Sequence, residues 1–573
     1  MRARAAGGSA RAAALVACWA VAWSHATLAA RAARVVCGVA RIAAQGARPR
    51  LDSKSGPVDG VWEAGGAVAA FRGVPFGADT SGANRFLPPQ PVAPWSEPLD
   101  AASFGAGCQQ RGSSKNPDVP ANRSEDCLLL NVFTPTDALE GTRADKEGEE
   151  GVPVMVWLHG GAYTEGSAFG PYDLYDGVHF VSTSGAVAVV SCNYRLGPLG
   201  FLAHQEAGVR GNAGLMDQIA CLRWVNENAA VFGGDAARVT LWGESAGAQS
   251  LMLHMASENS KGLFWRGIGE STMAISLATV KEASHFGKKT SELLGCDKAK
   301  DVLACMQAAD VEEVLSAGNH AQSDTITIMK ALDLSSPTKS ILPFKPVLDG
   351  EVLPSDQQPI ELLLSGQAPN AVPALLGSNR DELWALIFNL PEWLKGLEID
   401  AALGIIFGAE TAVRARSFYN VTTQSEPEAT IVAILTDYLF GCAAQRQLLA
   451  LPAPSFAYRD EHLLSFGDRL FREFNLPQCA GEVCHMAELP LVFGNSAPSI
   501  NVTLDADERA MSDGLIQAWV AFAAGDSPGW SAFDASNRTA LVLGNKTAAA
   551  VPTIHSLAGR SCLEVWDKAG YTH

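Results

Sequence analysis

The chain has 573 residues, 47% of them apolar and 18% charged, a balance that supports a large packed core and excludes a disordered polymer. Its formal charge of -18 weighs against nucleic acid and anionic membrane surfaces as partners. No H-E-x-x-H, zinc-type cysteine spacing, P-loop or dinucleotide fingerprint occurs, so neither a metal nor an organic cofactor is implied.

At the start, Arg2, Arg4 and Arg11 precede an apolar run from Ala12 to Trp23, and Ala26, Ala29 and Ala30 follow. This charged, apolar, small-residue order is that of a secretory signal, and the run is too short to span a bilayer. Residues 1–29 are therefore expected to be removed, which takes away three arginines and moves the charge from -18 to -21. Residues 30–50 continue the Ala/Arg-rich composition, and 51–573 read as one domain. Two further features agree with export. Sequons stand at Asn122, Asn420, Asn501, Asn537 and Asn545, none with Pro in the middle, and point to N-linked glycans. Twelve cysteines are many for a reducing compartment, although Cys18 goes with the signal and Cys37 has no assignment. The last residues, Lys568-Ala569-Gly570-Tyr571-Thr572-His573, form no apolar tail, so the expected product is soluble and secreted, without a stable membrane anchor.

From Leu51 to Trp95 the pattern is short strands and turns, with Val68 to Pro75 as a landmark, and Leu128-Leu129-Leu130-Asn131-Val132 enters another strand. The charged stretch from Ala138 to Gly151 reads as a solvated loop. Val152 to Leu158 is then a continuous apolar run, which suits a parallel strand buried on both faces, and it ends in His159-Gly160-Gly161-Ala162-Tyr163. Ala186 to Val190 gives a second such strand, and Leu215, Ile219 and Leu222 recur at helical spacing. Strand, helix and strand in alternation predict a parallel sheet with right-handed crossovers.

Val239-Thr240-Leu241-Trp242 reads as a short buried strand and runs directly into Gly243-Glu244-Ser245-Ala246-Gly247. This is the G-x-S-x-G nucleophile elbow. A strand turning at once into a helix strains the turn residue, and glycines two before and two after remove the Cβ atoms that would collide. Ser245 is thereby held at the end of a sheet, with the Ala246 amide behind it at a helix N-terminus.

Two segments carry a family resemblance. The stretch Phe232 to Gly247 (F-G-G-D-A-A-R-V-T-L-W-G-E-S-A-G) and the stretch Ser124 to Val132 (S-E-D-C-L-L-L-N-V) are similar to the signatures of the type-B carboxylesterase and cholinesterase family of α/β-hydrolases. Leu129 departs from the second pattern, where Tyr, Thr or Phe is usual. The resemblance runs from about Leu51 to Trp566 and implies an α/β-hydrolase fold with a large, mostly parallel central sheet flanked by helices.

Downstream, Leu263 to Ile341 is mostly helical in pattern, Ala374 to Gly377 reads as a strand, and Ser455 to Arg459 as one more. Trp384 to Phe407 is apolar but broken by Pro391 and Lys395, a core or pocket-rim segment. A serine hydroxyl near neutral pH needs a base oriented by a carboxylate, and in this fold the order is Ser, acid, His. Chemistry alone leaves Asp381 and Glu382 as equal acids after the Ala374 strand; resemblance to the family's G-x-N-x-x-E pattern selects Glu382. Among His462, His485 and His555, His462 sits in a charged run that reads as surface. His485 stands in a segment similar to the family's histidine motif with its downstream E-x-x-x-x-F-G.

The resemblance also implies oxyanion donors at the amides of Gly161, Ala162 and Ala246, with Ala162 where glycine is frequent. Glu244 is expected to tune the pocket field. It further implies that Cys108 pairs with Cys127, Cys296 with Cys305, and Cys442 with Cys562. Cys479 and Cys484 lie close enough before His485 to form a local bridge, whereas Cys192 and Cys221 fall in core patterns and are expected as buried free thiols. The cholinesterase tryptophan that faces a quaternary ammonium falls here on Leu99, which removes a cation-π partner of roughly 1–2 kcal/mol and argues against choline esters. Thr272, where the family often has glycine, is a second departure. The expected function is hydrolysis of a small-molecule or lipid carboxylic ester through an acyl-enzyme on Ser245. A narrower lipase and a silent adhesion or scaffold protein on the same fold are the rival readings; scaffold relatives typically lack the serine.

Overall fold

The run Val152–Leu158 is buried from end to end, and it forms the strand from which the sheet extends both ways. In the computed structural model the described residues are 48–112, 117, 119–139, 151–273, 275–324, 339, 342–385, 399–420, 427–536, 538–544, 551–553 and 560–569. Eleven strands make the central sheet: β1 (Val61–Glu63), β2 (Val68–Pro75), β3 (Leu129–Pro135), β4 (Val152–Leu158), β5 (Ala188–Cys192), β6 (Gly234–Glu244), β7 (Arg266–Glu270), β8 (Ala374–Asn379), β9 (Phe456–Asp460), β10 (Ala540–Leu543) and β11 (Val551–Thr553). Their spatial order is β11-β10-β9-β8-β7-β6-β4-β5-β3-β2-β1. The pairings from β5 through to β10 are parallel, and those at the two flanks are antiparallel.

Period-two geometry explains why the central strands read as unbroken apolar runs. Along β4, Val154, Val156 and Leu158 enter one core, while Met155 and Trp157 enter the other. On the first face lies α1 (Ala213–Asn228), which contributes Leu215, Ile219, Leu222 and Val225. The opposite face is covered by α5 (Ala506–Ala524), through Met511, Leu515, Ile516 and Trp519. Between them in sequence come α2 (Ala246–Met255), α3 (Val280–Leu293) and the short α4 (Leu489–Phe493). Trp242 stacks on Phe493 at 4.7 Å between ring centroids and meets Trp157 edge-on at 4.7 Å, so rigid aromatic packing lies beneath the elbow.

Two expectations need correction. The segment Leu263 to Ile341, expected to be mostly helical, contains β7 (Arg266–Glu270) ahead of helices at Val280–Leu293, Val302–Ala308 and Val311–Ser323. His462 is not at the surface: it is buried, as is Asp460 two residues before it. Cys192 and Cys221 are not free thiols but bonded to each other, β5 to α1 across the core. The pairs Cys108–Cys127, Cys296–Cys305, Cys442–Cys562 and Cys479–Cys484 are formed as expected. The proposed signal, Cys37, most of the loop from Ala138 to Gly151, His555, Asn537 and Asn545 lie outside the described residues. Among the described residues no helix is long and apolar enough to cross a membrane.

Candidate active site

Strand β6 ends at Glu244 and α2 begins at Ala246, which leaves one residue to make the turn. That residue, Ser245, takes φ 54° and ψ -116°, a strained conformation held by the N–H it donates to the Glu270 carbonyl at 2.9 Å. The flanking glycines are steric necessities. A Cβ on Gly243 would come within 2.6 Å of the Gly247 carbonyl carbon, and one on Gly247 would strike the Leu158 carbonyl. Gly160 is equally confined, since a methyl there would run into the Glu244 carboxylate and the Ser245 Cβ. Close backbone approach therefore sets the loop after β4 against the elbow.

In that loop Gly161 has φ 97° and Ala162 φ 54°. No described residue accepts a hydrogen bond from the amides of Gly161, Ala162 or Ala246. Behind the loop, His159 is fully buried, stacked on Tyr194 at 4.4 Å, and burial pulls its pKa down to about 4. It is a neutral packing element.

Glu382 and His485, the residues expected as acid and base, are in contact. Glu382, fully buried after β8, places Oε2 2.6 Å from His485 Nδ1, and its other oxygen accepts the Asn379 backbone N–H at 2.7 Å. Asp381, the chemically equal candidate, is committed elsewhere: Arg380 Nε donates to its Oδ2 at 2.8 Å and the Val483 N–H at 2.9 Å. Nε2 of His485 faces Glu244, 3.0 Å from Oε1. Among the described residues no hydrogen bond links His485 to the Ser245 hydroxyl; the ring faces the carboxylate one residue before it. Burial alone would lower the His485 pKa, but Glu244 and then Glu382 overcome it and raise it to about 9. The ring lies between two carboxyl groups, an arrangement that favours its protonated form.

Two further buried carboxyls belong to this region: Glu488, which opens the E-x-x-x-x-F-G stretch, and Glu270, at the end of β7. Glu488 receives the Asn379 side-chain amide on Oε2, and burial followed by the charge of Glu382 pushes its pKa up to about 7. Glu270 accepts from the indoles of Trp242 at 3.0 Å and Trp519 at 2.7 Å, and burial raises its pKa well above the carboxylate range. Phe440, 5.5 Å from the His485 ring, joins that ring to an apolar cluster that includes Met273, Leu383, Phe407 and Leu439. Thr272 is buried with its hydroxyl against Gly269, and Leu99 is a partly buried aliphatic. Among the described residues no three His, Cys, Asp or Glu side chains are arranged to hold a metal.

A mixed sheet with parallel centre, an elbow after its sixth strand and a His-Glu couple at the strand ends define an α/β-hydrolase. Residues 47–554 match the model of the carboxylesterase family, so the chain belongs to it and is a carboxylic ester hydrolase. The chain is 33% identical over 466 residues to the crystal protein of Dictyostelium discoideum, covering 79% of this chain and 78% of that one. It is 31% identical over 508 residues to the para-nitrobenzyl esterase of Bacillus subtilis (strain 168), covering 86% and 94%. A solved PNB esterase superposes with a TM-score of 0.69 at 28% identity, over 88% of this chain and 97% of that chain.

Proposed function

We propose that this hydrolase works through an acyl-enzyme on Ser245, with His485 as general base and acid and Glu382 as the group that orients it. The Ser245 oxygen attacks the ester carbonyl while His485 Nε2 takes its proton; the alcohol then leaves carrying that proton, and water repeats the sequence to release the acid. The amides of Gly161, Ala162 and Ala246, which no described side chain or carbonyl occupies, would receive the oxyanion. The observation that carries the reading is the 2.6 Å His485–Glu382 contact beside a strained serine turn. For catalysis the imidazolium must lose its proton and exchange Glu244 for the adjacent hydroxyl, an exchange that leaves Nδ1 on Glu382.

The substrate we favour is an uncharged small-molecule or lipid ester. Leu99 supplies no aromatic face for a quaternary ammonium, and three buried carboxyls, those of Glu244, Glu382 and Glu488, already act on the histidine. Labelling with a fluorophosphonate, followed by hydrolysis of p-nitrophenyl esters of increasing chain length, tests both parts. Folded protein that fails to label at Ser245 overturns the mechanism, and a sharp preference for long chains points to a lipase. We also propose that the protein is exported and glycosylated. The N-terminal residue order, the exposed sequons Asn122, Asn420 and Asn501, and five bridges among the described cysteines support this. Expression in a secreting eukaryotic cell, with a mobility shift on enzymatic deglycosylation, is the check.

A further inference from the structure

The residue immediately before His485 is Cys484, bonded to Cys479 in a ring closed by only five residues of separation. Both cysteines are completely buried, while Ala480 and Gly481 at the tip of the ring are exposed. The ring is stitched to the loop that carries the acid. The Asp381 N–H donates to the Val483 carbonyl at 3.0 Å, and the Val483 N–H returns a bond to Asp381 Oδ2 at 2.9 Å. Asn379 Nδ2 donates to the Cys484 carbonyl at 2.9 Å, and Arg380 reaches Glu482 at 3.4 Å. Asn379, Arg380 and Asp381, all within three positions of Glu382, therefore hold one side of the ring, while at its tip the Gly481 N–H donates to Asp468 Oδ1 at 2.9 Å. On the far side of His485, Met486 takes φ 71°, so the chain turns away at once and offers the imidazole no regular element of its own.

We infer that the Cys479–Cys484 bridge is a positioning device for catalysis, which holds the His485 backbone against the Glu382 loop and so keeps the base aligned. The inference rests on the triad reading above. A short segment with a left-handed residue after the base has several conformations open to it, and the bridge together with the Asp381–Val483 pair leaves one. Misplacing a catalytic group by about 1 Å costs on the order of a hundredfold in rate, so the bridge is expected to act on turnover more than on substrate affinity.

The test compares the double variant Cys479→Ser/Cys484→Ser with Cys296→Ser/Cys305→Ser, which opens another local bridge of separation nine, distant in the chain from the site. Both are made in the full chain and checked by melting temperature. For Cys479→Ser/Cys484→Ser we expect kcat lower by roughly 10- to 100-fold with KM within about twofold. The acid limb of its kcat/KM profile should also move to lower pH as the ring loosens from its carboxylates. The control is expected to lose stability alone. An unchanged kcat and pH profile in a folded Cys479→Ser/Cys484→Ser protein overturns the proposal. Should that variant not fold, Asp381→Ala decides: with the bridge intact it removes the Oδ2 acceptor of the Val483 N–H and leaves the backbone bond, and kcat equal to the parent enzyme refutes positioning of His485 through this ring. Failure of the unmodified protein to label at Ser245 is a separate result, which removes the triad itself.

Discussion

The Nε2 nitrogen of His485 points at the Glu244 carboxylate across 3.0 Å, although the hydroxyl it is proposed to serve belongs to the next residue along. Glu244 stabilises the protonated ring, and a protonated ring cannot act as a base. The expected consequence is an acid limb of kcat/KM on the alkaline side, near the raised pKa of about 9. Glu244→Gln removes the charge and keeps the volume, so this limb should shift to lower pH, with higher activity near neutrality. A pH profile of the variant that overlays the parent's would refute the role given to Glu244.

Loss of the members of the proposed triad should be severe and non-additive. Ser245→Ala and His485→Ala are each expected to lower kcat by about 10⁴-fold or more, and Glu382→Gln by about 10²–10⁴-fold, with KM little changed. The double variant Ser245→Ala/His485→Ala should be no worse than either single one. Steady-state kinetics with a short-chain ester, at matched melting temperatures, measures this.

Ala162 occupies a left-handed conformation at φ 54°, which costs an L-residue about 1–2 kcal/mol. Glycine relieves that strain but loses roughly 0.5–1 kcal/mol through its freer unfolded chain. The two nearly cancel, so stability should move little in Ala162→Gly. In the proposed mechanism the methyl stands beside the amides that receive the oxyanion. Its removal should raise kcat/KM for esters of bulky alcohols relative to those of small ones, and an unchanged ratio would show that the methyl lies off the substrate's path.

Glu270 connects pH to stability. Its folded pKa is raised, so its contribution is present below the unfolded carboxylate value of 4.5 and is lost as pH climbs through the raised one. Glu270→Gln cannot ionise and should therefore match the parent near pH 5 and exceed it near pH 9 in melting temperature. Glu270→Ala strands two buried indole donors, at about 1–3 kcal/mol each, and should destabilise at every pH. Equal pH dependence of parent and Gln variant would mean that Glu270 stays ionised.

What could be read from the residues alone follows physical periodicity. The run at 152–158 is apolar because its two faces enter two cores, and the elbow glycines are legible because no other residue fits beside the Leu158 carbonyl. The strand Arg266–Glu270 escaped notice because its sequence, R-G-I-G-E, lacks the usual composition. Its arginine is buried over the rings of Trp265 and Phe522, its carboxylate is capped by two indoles, and its glycines lie under Leu251, Thr272 and Leu376. His462 was misread for a related reason. In Arg459-Asp460-Glu461-His462 burial alternates: Asp460 and His462 turn inward while Arg459 and Glu461 are partly exposed. A run of charge is surface only if its period does not match a strand. The Cys192–Cys221 bridge was hidden because its partners come from different elements, whose approach depends on the packed core. Glu270 carries no local signature, since a buried carboxyl is recognised only by the donors around it, whereas Glu488 opens the E-x-x-x-x-F-G stretch.

The crowding at Gly160, Gly243 and Gly247 has an evolutionary side. With no room for even a methyl at these three places, the reacting centre is a fixed datum that inheritance cannot tinker with. Diversification of substrate range must come from positions other than these three, whose main chain holds the serine in place.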